Sequence, residues 1–187
     1  MTAASPDAAG FTRLARERTS EFAPGTDAEA MDIVLGIIRL ANRLVGDLEA
    51  EIHRPMGWSW AGFRIMFTLW VAGPLEPRAL ARLSAVTRAS ISSVLNTLER
   101  DGLVERRRES TDGRIVTVVL TPQGRHQTGE AFRRQNAREH EWVRGLDAPE
   151  RHELTRMLGL LLEEAPPSAD GPLKEPLHEA VDRPRPR

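Results

Sequence analysis

The middle of the sequence concentrates arginines in a way that suits it to bind a polyanion. Between Arg78 and Arg114 there are eight arginines and five acidic residues, although the chain of 187 residues carries a formal net charge of −1. Lys174 is the one lysine among its 26 basic residues. Arginine presents a planar set of donors that matches phosphate oxygens and guanine edges. A basic centre between acidic flanks therefore indicates nucleic acid as a partner.

The same stretch changes from helical to extended periodicity, so it offers two kinds of surface. Thr87 is the expected N-cap of a helix that runs to about Arg100, and Gly102 is expected to end it. One face of this helix is apolar and the other is polar or small. The apolar face consists of Ile91, Val94, Leu95 and Leu98. After Gly102 the pattern predicts a β-hairpin whose tip carries Arg106, Arg107, Arg108 and Arg114. A helix can read base edges in the major groove, and a hairpin arginine can reach the adjacent minor groove.

Helices are predicted on both sides of this basic centre. A capping box that begins at Thr26 predicts a helix of about 25 residues, which ends before Pro55. Thr121 followed by Pro122 predicts the start of a second long helix. Further helices are predicted at residues 11–22, 59–71, 77–83 and 147–162, and a capping box that begins at Asp147 starts the last of them. The predicted fold class is mainly α with a small β-hairpin wing, that is, a winged helix-turn-helix core between helical flanks.

The residues of this core also resemble a known family. The matching segments are Gly57-Trp58-Ser59, Gly73-Pro74-Leu75, Ala79-Leu80-Ala81, Val86-Thr87, residues 98–104, Asp112-Gly113-Arg114 and residues 120–125. The Leu-Glu-x-x-Gly-Leu-Val block at residues 98–104 recurs in many winged-helix proteins. Its combination with Asp-x-Arg and then Leu-Thr-Pro-x-Gly-Arg at this distance is more specific. The chain is thus similar to the MarR regulators over roughly residues 28–165.

The resemblance implies a transcriptional regulator that binds double-stranded DNA through a recognition helix and a wing. The implied recognition residues are Thr87, Arg88, Ala89, Ser90, Ser92 and Ser93. Arg88 is the candidate for a guanine contact, and the serines suit phosphate oxygens or base edges. Arg114 would enter the minor groove, and Asp112 would orient an arginine rather than touch DNA. Contact with phosphates is favoured for Arg106, Arg107 and Arg108, with a solvated run of charge as the alternative.

A homodimer is also implied by the resemblance. Residues 27–56 and 121–165 form the expected helical dimerisation region, and residues 57–120 form the DNA-binding domain. Residues 1–26 are an N-terminal extension with a short helix, and residues 166–187 are a proline-rich tail expected to be disordered. Two recognition helices related by a two-fold axis predict a pseudo-palindromic operator.

Trp60, Arg64 and Trp70 are the candidates for a ligand pocket. Small aromatic or phenolic ligands often lie between the dimerisation helices and the winged helix of MarR-type proteins, and Arg64 is suited to pair with an anionic one. Tryptophans at helical spacing are more often part of a core. The favoured interpretation is a repressor that such a ligand releases from DNA. The alternative is a DNA-binding module controlled by a partner protein that docks on the proline-rich tail.

Composition argues against several other classes of protein. The absence of cysteine excludes disulfides, thiolate metal ligands and a cysteine nucleophile. The five histidines lack metal-binding spacing, so we expect neither a metal nor a cofactor. No phosphate-binding glycine loop or nucleophile elbow is present, so an enzyme is not expected. Without a long apolar run or a secretory signal, the chain is expected in the cytoplasm, with no membrane partner.

Overall fold

Helices and a single hairpin make up the computed structural model, which describes residues 8–108 and 116–164. The α-helices are α1 (Ala8–Phe22), α2 (Ala28–Leu48), α3 (Trp60–Ala72), α4 (Pro77–Leu83), α5 (Arg88–Arg100), α6 (Pro122–Trp142) and α7 (Ala148–Glu163). The strands are β1 (Val104–Arg108) and β2 (Val116–Leu120). The predicted fold class, mainly α with a small β-hairpin, is therefore confirmed. The chain divides into two compact units, Met1–Asp47 and Leu48–Arg187.

In the first unit, α1 and α2 form a helical hairpin. The Arg16 guanidinium lies 3.0 Å from the Asp32 carboxylate, and the Arg39 guanidinium lies over the Phe11 ring, 4.8 Å from its centroid. Asp27 caps α2, since its Oδ1 accepts hydrogen bonds of 3.0 Å from the backbone amides of Glu29 and Ala30. The predicted cap at Thr26 is wrong. Its hydroxyl instead donates to the Ala23 carbonyl, because the neighbouring carboxylate takes the free amides.

The helix predicted to run without a break to Pro55 is interrupted. Its α-helical part ends at Leu48, and a π-helical turn (Glu49–His53) and a 3-10 turn (Arg54–Met56) follow. Leu48, Ile52 and His53 are all buried. The turn ends at Gly57, whose φ of 81° is left-handed. The change in helical pitch thus coincides with the residues that enter the core of the second unit.

That core lies between α3, α4, α5 and the hairpin. Its most buried large side chains include Ile65, Met66, Leu69, Leu80, Leu95 and Val118. Ser59 begins α3 by accepting a hydrogen bond of 3.1 Å from the Gly62 amide. Thr87 begins α5 in the same way, accepting from the Ser90 amide at 3.2 Å, so its predicted capping role is confirmed. None of the described helices is both long and apolar enough to cross a membrane.

Short connections set the direction of α5. Between α4 and α5, Ala85 has a φ of 48°, a left-handed conformation that costs a residue with a Cβ atom some energy. After α5, Gly102 has a φ of 71° and turns the chain directly into β1. The glycine predicted to end this helix is therefore confirmed. These two turns hold α5 between α4 and the hairpin.

The hairpin is antiparallel, with Val104 opposite Leu120 and Arg108 opposite Val116. The outer edge of β2 gains a partner from the loop before α4. There Leu75 and Val118 exchange two backbone hydrogen bonds, of 3.2 Å and 2.7 Å. The hairpin is thereby joined to the loop before α4 at the middle of β2, opposite Arg106. Residues 109–115, which join the two strands, lie outside the described residues.

The beginning of α6 is joined to the end of α5 at the Leu103 carbonyl. The Thr121 amide donates to this carbonyl at 3.0 Å, and the Thr121 hydroxyl donates to the Gly102 carbonyl at 2.7 Å. The same hydroxyl accepts from the Gly124 amide at 3.0 Å and caps α6, as predicted. A Cβ atom on Gly124 would overlap the Leu103 carbonyl group. Only glycine at this position allows the two segments to lie so close.

Substitution of this glycine should therefore be costly. We expect Gly124→Ala to lower the free energy of unfolding by about 2–4 kcal/mol, because the new methyl group must displace backbone. Gly46→Ala is the control. It adds a methyl group to an exposed helical site with nothing within 4 Å, and it should be neutral or stabilising by up to about 1 kcal/mol. Urea unfolding of the full chain at one protein concentration measures both. Equal stability of the two variants would contradict the close approach.

Candidate nucleic-acid interface

The outward face of α5 is polar and is built from small side chains. Its buried face contributes Ile91, Leu95 and Leu98 to the core. Opposite them, the exposed residues are Thr87, Ala89, Ser90, Ser92 and Ser93. Arg88 is the first residue of the helix, and its side chain lies outside the described part of the structure. The predicted recognition residues thus lie together at the start of one exposed helix.

Hydroxyl groups on this face are partly engaged with one another. The Thr87 hydroxyl donates to Ser90 Oγ at 2.9 Å, and the Ser93 hydroxyl donates to the Ser90 carbonyl at 2.9 Å. A hydroxyl group keeps acceptor capacity after it has donated. Because the side chains are short, a phosphate or a base edge can approach the helix backbone closely. This face can offer hydrogen bonds without a large charge of its own.

The three consecutive hairpin arginines have three different surroundings. Arg107 is exposed, and its Nε donates to Glu105 Oε1 at 2.6 Å. Arg108 is exposed at the end of β1. Arg106 instead turns toward α5, where its guanidinium pairs with the Glu99 carboxylate and donates to Asn96 Oδ1 at 2.9 Å. Strand alternation places Arg107 on the opposite face of the hairpin from Arg106 and Arg108. Arg106 differs from Arg108 because it reaches Asn96 and Glu99 of α5.

Glu99 and Asn96 were not singled out by sequence reasoning. They lie seven and ten residues before Arg106, across a turn, and no helical or strand periodicity links such positions. The one signal was a glutamate in the last turn of a helix, where its charge is unfavourable toward the helix dipole. Asp112 and Arg114, in contrast, lie outside the described residues, and their predicted roles stay predictions.

The residues proposed for a ligand pocket are divided along α3. Trp60 and Arg64 are one helical turn apart, whereas Trp70 lies about 15 Å further along the axis than Trp60. The Trp60 ring lies 5.3 Å from the buried His53 ring, and the Trp70 ring lies 5.7 Å from Phe132. Trp60 and Trp70 are thus brought into separate parts of a row of aromatic rings rather than around one cavity.

Arg64 is a half-buried cation. Burial lowers the pKa of its guanidinium, but an arginine side chain in a protein keeps its charge. Within the described residues, no hydrogen bond or ion pair engages this guanidinium. Burial also lowers the pKa of His53, whose ring stacks with Phe63, so this ring is neutral at neutral pH. Arg64 is therefore a positive charge in surroundings that do not compensate it.

Two clefts lie elsewhere on the second unit. The larger, of about 510 Å³, is lined by Pro74, Arg107, Val119, Leu120, Pro122, Arg125 and His126. A smaller one, of about 160 Å³, lies between the start of α3 and α5. Neither cleft includes Trp60, Arg64 or Trp70 in its lining. Arg125 and His126, which share a cleft with Arg107, were not anticipated from the sequence.

Comparison with known proteins assigns the winged-helix region to a family. The MarR family model matches residues 58–116, which extend from the start of α3 into β2. An uncharacterized HTH-type transcriptional regulator of Bacillus subtilis (strain 168), YwaE, is 33% identical over 130 residues. The match covers 70% of this chain and 76% of that protein.

Solved structures agree with this assignment. A MarR family regulator from Silicibacter pomeroyi is 25% identical, with a TM-score of 0.63 over 73% of this chain and 92% of that one. The MarR family protein Rv2887 of Mycobacterium tuberculosis, in complex with p-aminosalicylic acid, is 29% identical. Its TM-score is 0.56 over 67% of this chain and 94% of that one. The chain belongs to the MarR family of winged-helix transcriptional regulators.

Proposed function

We propose that this chain is a homodimeric repressor that binds a pseudo-palindromic DNA operator and is released from it by a small aromatic or phenolic acid. The observation that carries the proposal is the exposed polar face of α5 beside a hairpin with outward arginines. This pairing suits a helix that enters the major groove and a wing that follows the backbone to the minor groove. A protein that acts on chromosomal DNA would work in the cytoplasm.

In this proposal, the start of α5 reads the operator. Ser90, Ser92, Ser93 and Thr87 bind phosphate oxygens or base edges, and Ala89 allows close contact with a thymine methyl group. Arg88 binds a guanine. On the wing, Arg107 and Arg108 bind phosphates and Arg114 enters the minor groove, oriented through Asp112. The short exposed side chains of α5 support the close approach that these contacts require.

Exposed apolar faces support the homodimer. On α2 these side chains are Ile33, Val34, Ile37, Ile38 and Leu40, and on α7 they are Met157, Leu158, Leu160, Leu161 and Leu162. Each of them is between 38% and 74% exposed. Monomeric proteins rarely leave apolar surface so concentrated. We assign residues 27–56 and 121–165 to dimerisation and residues 57–120 to DNA binding, which would place the half-site centres about 10 base pairs apart.

The uncompensated charge of Arg64 supports control by a small anion. A carboxylate next to this guanidinium would supply the missing counter-charge, and the Trp60 ring on the same helical face would contact an aromatic ring. The complex of Rv2887 with p-aminosalicylic acid is an example of such a ligand in a relative. Trp70 lies at the other end of α3, beside Phe67 and Phe132. It would therefore contact a different part of a ligand from the carboxylate that pairs with Arg64.

The wing makes a testable contribution to binding. We expect Arg114→Ala to weaken binding to a duplex that the wild-type protein selects by about 1–3 kcal/mol, since it removes a minor-groove arginine. Fluorescence anisotropy measures the affinity, and light scattering checks that the oligomeric state is unchanged. Arg18→Ala, at an exposed arginine of α1, is the control and should bind like the wild type. Equal affinity of the two variants would remove the wing from the mechanism.

Ligand control is tested with p-aminosalicylic acid as the probe. At a concentration about 100 times Kd, binding should stabilise the protein by about 2.7 kcal/mol, which raises the Tm by roughly 5–10 °C for a chain of this length. The shift should be lost in Arg64→Gln and kept in Arg125→Gln, whose arginine lines a different cleft. The acid should also release the selected duplex from the wild type. An unchanged Tm at millimolar acid would favour control by a partner protein instead.

A further inference from the structure

Arg106 is held in place by α5 through both its backbone and its side chain. Its backbone amide donates to Glu99 Oε1 at 3.3 Å, and its guanidinium pairs with the same carboxylate. A second guanidinium nitrogen donates to Asn96 Oδ1 at 2.9 Å. Only 29% of the Arg106 side chain and 39% of the Glu99 side chain is exposed. We call this group, Arg106 with Glu99 and Asn96, the clamp.

The clamp provides a hydrogen-bond partner for the outer edge of β1. β1 pairs with β2 along one side, so backbone groups on its other side need different partners. Glu99 supplies one of them by accepting from the Arg106 amide. The other edge of the hairpin is held at the same level, because Val118, opposite Arg106, exchanges two backbone hydrogen bonds with Leu75. Those bonds join the hairpin to the loop before α4, whereas the bond to Glu99 joins it to α5 and so sets the angle between β1 and that helix. The bond is made two residues into β1, between the base and the outer end of the strand.

The clamp begins on the same face of α5 that is proposed to meet DNA. Ala89, Ser92, Ser93 and Asn96 follow one another at three- and four-residue spacing and are all exposed. Asn96 thus continues the polar face toward the hairpin, and Glu99 follows at the last turn of the helix. One surface runs from the recognition residues through the clamp to β1.

The position of Glu99 is unfavourable for a residue without a partner. Its carboxylate lies at the negative end of the α5 dipole and beside a surface proposed to approach phosphates. Both effects disfavour a negative charge, and pairing with Arg106 offsets them. The pairing in turn occupies the guanidinium of Arg106, which is then no longer available as a free phosphate ligand. Arg108, two residues further along β1, has no such partner among the described residues.

We propose that Glu99 is a positioning residue, which through Arg106 fixes the angle between the recognition helix and the wing, and that Arg106 does not contact phosphate. This inference rests on the proposed function in DNA binding. It divides the three hairpin arginines into one that positions the wing and two that face outward. Specific binding, which needs helix and wing in register with both grooves, depends on the clamp. Nonspecific binding to the backbone does not.

The test compares specific with nonspecific binding as the salt concentration is varied. Glu99→Gln and Arg106→Gln should each weaken binding to a duplex selected by the wild type by about tenfold, the scale of losing one base contact. Combining them should cost no more than the larger single effect. Binding of Glu99→Gln to random duplexes should stay equal or become tighter. The slope of log K against log salt should be unchanged in Arg106→Gln, because no phosphate contact is lost, and unchanged or steeper in Glu99→Gln, which frees the Arg106 guanidinium.

Two control variants calibrate the readout. Arg108→Gln removes an outward arginine, so it should weaken selected and random duplexes alike and reduce the salt slope by about 0.9. Glu105→Gln removes a negative charge from the same strand but not from the clamp, so it should not weaken specific binding. A smaller salt slope for Arg106→Gln, with equal losses on both kinds of duplex, would overturn the proposal. Unchanged or tighter specific binding by Glu99→Gln would overturn it as well.

A measurement without DNA separates this inference from the proposed function. Hydrogen exchange at the Arg106 backbone amide should be faster in Glu99→Ala than in the wild type, while the Val118 amide, which bonds to Leu75, should be unaffected. Equal exchange at Arg106 in both proteins would overturn the clamp itself. Faster exchange combined with a wild-type protein that retains no duplex would support the clamp and contradict the proposed function.

Discussion

The relation between α5 and the rest of the protein depends on the close approach of α6 to the Leu103 carbonyl. This carbonyl lies at the corner where α5 has ended and β1 begins, and it accepts the Thr121 amide at 3.0 Å. The approach is possible because Gly124 has no Cβ atom. Three elements, α5, the hairpin and α6, therefore share a single junction. Because α6 is also part of the proposed dimerisation region, this junction would connect a dimer interface to α5.

The role of each charged residue in this molecule depends more on its partner than on the net charge of the chain. The net charge of −1 gives no indication of a DNA-binding surface, and even the local excess of arginine is divided among different roles. Arg106 is paired with α5, Arg107 with its neighbour Glu105, and Arg108 is exposed. Arg64 is the opposite case, a half-buried cation to which the described residues offer no ion pair. We propose that the first arrangement fixes the geometry of the wing and that the second binds an anionic ligand.

Local signals in the sequence were sufficient where the responsible contacts are local. The bounds of α4, the cap of α5 at Thr87 and the capping box of α7 at Asp147 all follow from residues within one helical turn. The predictions were wrong where a neighbour competes, as at Thr26, or where tertiary packing intervenes. The helix predicted to reach Pro55 changes pitch after Leu48, because Ile52 and His53 enter a core that the local pattern does not describe.

The candidate site was predictable in part for the same reason. The polar face of α5 follows from helical periodicity, whereas the pairing of Arg106 with Glu99 joins a helix to a strand across a turn and has no periodic signature. The roles of Asp112 and Arg114 come from the family resemblance alone. Trp60, Arg64 and Trp70 share a helix, but the distance along its axis separates the last of them from the other two. Sequence spacing shows which residues lie on one face of a helix, but it does not show which of them line the same cavity.

The most direct test of the account is selection from a pool of random DNA duplexes by the purified protein in about 0.15 M salt, where nonspecific binding is weak. Sequencing of the retained duplexes should show an enriched pseudo-palindrome with half-site centres about 10 base pairs apart, because two recognition helices related by a two-fold axis would meet successive major grooves. Retention without any common motif, or no retention at all, would contradict sequence-specific binding by a dimer.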